Sequence, residues 1–120
     1  MVSILDSIKS LLGIDVSDIN FDAELIIHIN GAIAILSQLG VGPKTGYLIT
    51  NKDNKWDEFI GQRTDLEFIK TDIYLRVRLI FDPPQNSFLV DAIKESIKEY
   101  DWRIGINAVS PMIVMPEEEV

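Results

Sequence analysis

The sequence predicts an all-α protein: a small bundle of about four to five helices, with a short loop or hairpin excursion over residues 41–54 and an extended C-terminal tail. Three observations carry this expectation. Apolar residues recur at helical spacing in successive runs, each run is bounded by capping or helix-breaking residues, and turn-forming residues gather in 41–54 and again after Gly105. With 120 residues, 47% of them hydrophobic, the chain is long enough for one compact domain with a modest core and too apolar for general disorder. We place that domain at residues 1–105 and the tail at 106–120.

Ser3 followed by Asp6 resembles a capping box, and Ile4, Leu5, Ile8, Leu11 and Leu12 keep helical spacing until Gly13, which predicts a short first helix. Asp22 is the expected N-cap of a second helix, with Phe21 and Ile26 placed to close a hydrophobic staple over it. Leu39-Gly40 stops that helix after Gln38. From Val41 to Asn54, Gly42-Pro43, Gly46 and an Asn-Lys-Asp-Asn cluster surround Tyr47, Leu48 and Ile49, which reads as an exposed loop or small hairpin. Lys55 to Ile60, carrying Trp56 and Phe59, predicts one or two helical turns. After Thr64 or Asp65 as cap comes the longest apolar helix, Leu66 to Phe81. Asp82 ends it, because a residue before proline is pushed out of the α region and proline has no N–H to donate. Asn86 or Ser87 then caps a helix from Phe88 to Arg103, and so short a connection predicts antiparallel neighbours. The structural corner is therefore Phe81, Asp82, Pro83 and Pro84. Beyond Gly105, INAVSPMIVMPEEEV is expected to leave the helix, since two prolines bracket Met112 to Met115.

At about 100° per residue, the longest helix shows two apolar stripes. Leu66, Ile69, Ile73, Val77 and Ile80 form one, while Phe68, Leu75 and Leu79 form another on the far side. A helix that is apolar on two faces is packed on two faces, so a neighbouring subunit is expected on the second. Ile35, lying among Glu24, His28, Gly31 and Gln38, and Trp102, on the polar side of the last helix, join Phe68, Leu75 and Leu79 as expected subunit-interface residues.

Composition excludes several function classes. The formal charge of -8, from 11 basic and 19 acidic residues with no basic cluster, argues against tight nucleic-acid binding. There is no cysteine, and no apolar run approaches the roughly 20 residues of a membrane span. The start, MVSILDSIKS, lacks a basic n-region and a small-residue cleavage site, so no signal peptide is expected. His28 is the sole histidine and reads as a solvated or interface residue rather than a metal ligand. Gly42-Pro43-Lys44-Thr45 has the wrong spacing for a phosphate loop and reads as a turn. Asp91, Lys94, Glu95, Lys98 and Glu99 read as a solvated face, and Glu117, Glu118 and Glu119 as a solubilising end. No catalytic residue, cofactor or metal is expected, and we do not expect an enzyme. An acidic surface also suits a protein that faces DNA without holding it.

The tail segment, apolar around Ile113-Val114 and flanked by prolines, suits addition to a partner's groove or sheet edge. The helix LLGI, the stretch FDAELIIHINGAIAILSQLGVGP, the aromatic turn WDEFI and above all IKTDIYLRVRLIFDPPQNSFLVDAIKESIKEYDWRI carry a resemblance. Together they resemble the connector proteins of long-tailed bacteriophages, the adaptor or head-completion family below the portal, over most of residues 4 to 104. The resemblance implies a structural virion protein at the neck between capsid and tail, made in the host cytoplasm. It implies a homo-oligomeric ring of about twelve copies that extends the DNA channel and provides the platform for tail attachment. The implied partners are the portal protein, a tail-proximal stopper or tail-completion protein, and DNA in transit. The portal-binding residues it implies are Ala108, Val109, Pro111, Met112, Ile113, Val114 and Met115. The alternative reading is a small acidic regulatory protein, an inhibitor or antitoxin, that binds another protein through Trp102 and the tail.

Overall fold

The computed structural model describes residues 3–61 and 63–114, with side chains as far as Ile106. Helix α1 spans Ile4–Leu11 and is capped as expected, Ser3 Oγ accepting the Asp6 N–H at 3.1 Å. Its inner face buries Ile4, Leu5 and Ile8, and with them Lys9, only 1% exposed. The Lys9 ammonium donates to the Val16 carbonyl at 3.0 Å and lies 2.8 Å from Asp22 Oδ1. That pairing overrides the expected role of Asp22. Helix α2, Asp22–Gln38, begins at Asp22, with Phe21 in the cap position and no side-chain cap bond. A helix start open to water loses little without a cap, whereas a buried ammonium without a counter-charge is costly, so the carboxylate turns to Lys9. Phe21 packs edge-on against Phe81, its ring centroid 5.4 Å away.

Helix α2 buries Leu25, Ile29, Ala32, Ile33 and Leu36 and ends as expected at Leu39 and Gly40. The 41–54 excursion is a loop, and among the described residues no ladder strand forms; Ser3 and Lys55 make one isolated antiparallel bridge. The loop is not simply exposed. Val41 and Ile49 enter the core, and the Asn30 side chain takes the place of a neighbouring strand: Oδ1 accepts the Ile49 N–H at 2.8 Å and Nδ2 donates to its carbonyl at 3.0 Å. Gly42, at φ +85°, lies so close to Phe59 that a Cβ there would sit 2.7 Å from the ring. Helix α3, Trp56–Ile60, sends Trp56 and Phe59 into the core, and Trp56 Nε1 donates to Ser7 Oγ on α1 at 3.0 Å. Glu58 Oε1 accepts the Lys55 backbone N–H at 3.2 Å, closing the start of that turn.

Helix α4 spans Leu66–Phe81, the expected bounds, and lies between α2 and α5. Asp65 takes the N-cap position, one of the two expected, but makes no side-chain cap bond, its carboxylate holding Arg63 at 2.6 Å. Helix α5 spans Ser87–Val114, and Asn86 Oδ1 accepts the Phe88 N–H at 2.7 Å, so the expected cap is in place. Arg63 reaches the Ile104 carbonyl, Phe68 meets Tyr100, and Leu79 and Ile80 lie near Ile97, so α4 and α5 run antiparallel across the proline corner.

The all-α bundle is as expected; the extended tail is corrected. The backbone does not leave the helix after Gly105 but stays helical through Pro111 to Val114. Once a helix is nucleated, each further residue adds a bond for one pair of dihedrals, so the donor missing at Pro111 removes one rung without ending the ladder. Met115, Glu117, Glu118 and Glu119 lie outside the described residues, as do the side chains of Ala108 to Val114.

Candidate functional site: the surfaces around α4 and α5

Of the expected core stripe of α4, Ile69, Ile73 and Val77 are fully buried, Leu66 is half-buried and Ile80 is 63% exposed. Ile80 has the right angle on the helix, but the neighbouring helices do not cover it. It lies instead in a groove of about 350 Å³ whose walls are α2 and α5 and whose floor is α4. Ile27, Gly31 and Ile35 form one wall, Leu79 and Ile80 the floor and Ile97 the other wall, with Arg76 and His28 as its polar members. The groove is shallow and open, without the convergent polar groups of a small-molecule site.

The expected interface residues divide between two surfaces. Ile35 and Leu79 share this groove. Phe68 is 38% exposed yet packs on Tyr100 of α5, with centroids 5.5 Å apart, and Leu75 is half-buried. The second apolar stripe of α4 is thus covered in part by α5 of the same chain. Trp102 stands 64% exposed on the outer face of α5. Inward-facing Ile97 and Ile104 set the direction of that helix, and at about 100° per residue Phe88, Glu95 and Trp102 fall opposite them. Phe88 is 83% exposed. Lys98 and Glu95 pair at 3.3 Å on the solvated side, as the alternating charges predict.

The corner begins where Phe81 ends α4; Asp82 turns at φ −150° and ψ 66°, Pro83 is exposed and Pro84 half-buried. Phe81 is held from the other side by Phe21, so the corner is braced against the start of α2.

One buried cluster had no place in the expected site. Asp72, on the inner face of α4, is 0% exposed. Arg76 Nε donates to its Oδ1 at 2.7 Å, and Arg76 Nη2 donates to Asp101 Oδ2 on α5. Burial first, and then the neighbouring Asp101, push the Asp72 carboxyl up to about 7, with Arg76 acting in the opposite sense. The signal was visible in sequence: an acid and an arginine at i and i+4, with the acid beside Ile73 in the apolar stripe.

Among the described residues there is no group of three or more His, Cys, Asp or Glu placed to hold a metal, and no helix long and apolar enough to cross a membrane. His28 accompanies Glu24 at 3.3 Å on the rim of the groove. Gly42 to Thr45 form a turn, with the Gly46 N–H donating to the Pro43 carbonyl at 2.9 Å.

A compact helical domain with exposed apolar side chains on separated surfaces is built to contact other proteins. The sequence profile of the phage connector proteins matches residues 4–110, and the chain belongs to this family of head-tail connectors. It is a structural bacteriophage protein, a component of the virion that associates with other virion components. No curated protein and no solved structure matches it.

Proposed function

We propose that this chain is the adaptor of a phage neck: a ring of about twelve copies below the portal that extends the DNA channel and carries the tail-attachment platform. The family match over residues 4–110 is the observation that carries this reading. A closed ring needs two different contact surfaces on each subunit, because its interfaces are head-to-tail. The groove holding Ile35 and Leu79 and the outer face of α5 with Trp102 are two such surfaces, separated on the domain. Residues 1–105 form the ring body, while residues 106–120, with Ala108 to Met115, reach the portal protein; a stopper or tail-completion protein docks on the opposite side. The surplus of acids lets DNA pass without adhering.

The test is mass photometry and negative-stain imaging of the full chain, alone and with its portal protein. Parallel samples carry Trp102→Asp or end at Asn107. The full chain is expected to give rings on the portal. Trp102→Asp should leave the monomer folded and abolish rings, and the truncated chain should lose portal binding. A discrete complex of one or two copies with some other protein would replace this reading with the regulatory one.

A further inference from the structure

We propose that Asp72 and Asp101 share one proton beneath the Arg76 guanidinium, and that this proton latches α5 to α4 in a pH-dependent manner. Arg76 satisfies one oxygen of each carboxylate. The other two, Asp72 Oδ2 and Asp101 Oδ1, are buried without a hydrogen-bond partner among the described residues. The Arg76 guanidinium bridges the two carboxylates and so brings Asp72 and Asp101 together at the α4–α5 contact. Two buried acceptors brought together in this way repel; one proton between them makes an O–H···O bond and satisfies both. The charge count agrees. Two carboxylates against one guanidinium leave a net negative charge on a cluster whose Asp72 is fully buried, and a single proton taken up from water removes it.

Other charged groups nearby do not fill this role. His28 of α2 lines the groove with Arg76 but pairs with Glu24 at the surface. Arg63, held by Asp65, bonds the Ile104 carbonyl further along α5.

The direction of the pH effect follows from the raised affinity for the proton. Asp72 titrates at about 7 in the fold against 3.8 for the free side chain. Between those values the folded chain keeps a proton that the unfolded chain has released. The contribution is complete below the lower value and is lost as pH rises through the higher one. The α4–α5 contact therefore loosens on alkalinisation, and with it one wall of the groove. This holds for the isolated folded chain and does not depend on the ring.

The test is a 13Cγ NMR titration of the full chain with 13C-labelled aspartate from pH 4.5 to 8.5, paired with thermal melts. One aspartate signal is expected to move through a step near pH 7 and to disappear in Asp72→Asn. From pH 5.5 to 8.5 the wild-type Tm is expected to fall by about 8 °C, the pH span below the folded midpoint being about 1.5 units. Asp72→Asn, whose amide N–H replaces the proton, should melt at the same temperature across that range. His28→Asn should keep the wild-type slope. If Asp72→Asn does not fold, Asp101→Asn makes the same exchange from the α5 side, and the wild-type titration decides by itself if neither folds. The proposal is overturned if every aspartate stays ionised down to pH 5, or if the Tm slope survives Asp72→Asn and vanishes in His28→Asn.

Discussion

Replacing Lys9 by methionine separates the charge of this buried side chain from its packing. The stem of Lys9 fills space on the inner face of α1, and methionine retains most of that volume. What it removes is the ammonium that joins three pieces of chain, α1 itself, the Val16 carbonyl and Asp22 at the start of α2. Breaking a fully buried ion pair by deleting one partner costs about 3–5 kcal/mol. Here the Asp22 side chain retains 27% exposure, so the carboxylate can still be hydrated in part although its Oδ1 is buried. The expected cost is therefore about 2 kcal/mol, or a fall in Tm of about 8 °C for a chain of this length. Adding Asp22→Asn removes the stranded charge and should restore about 1 kcal/mol. Urea unfolding and calorimetry at neutral pH on the wild type, both single variants and the double variant close the cycle. If Lys9→Met melts with the wild type, Lys9 contributes only its stem and the ionic tether has no weight.

Asn30→Ala removes both bonds to the Ile49 backbone and is expected to cost about 2 kcal/mol, with hydrogen exchange at Ile49 accelerating more than in the helices. Gly42→Ala forces a side chain into a positive-φ site already filled by Phe59, so chemical denaturation should register a loss of about 2 kcal/mol or more. Pro84→Gly frees the unfolded chain at the corner, for about 1 kcal/mol of stability, and relaxes the angle between α4 and α5. If that variant is as stable and assembles as well as the parent, the corner is only a connection.

Local signals carried far in this chain. Asp82-Pro83-Pro84 marked the end of α4 to the residue, Ser3 marked the start of α1 and Asn86 that of α5, because a missing N–H or a capping oxygen acts over three or four residues and needs no partner from elsewhere. The same local reasoning failed where distant chain intervened. Asp22 looked like a cap until Lys9 claimed it, and Ile80 looked like core until no helix lay over it. Pro111 looked like the end of a helix that runs on past it.

Helical class, most helix boundaries and the family were legible from the order of residues alone. Which polar side chains go inside was settled by packing. Lys9, Asn30 and Asp72 each lie on a helix, and periodicity assigns each an angle on it. Whether that angle meets water or a buried polar neighbour depends on residues 13, 19 and 29 positions away, Asp22, Ile49 and Asp101, brought close by packing even where a nearer partner such as Arg76 is visible from spacing.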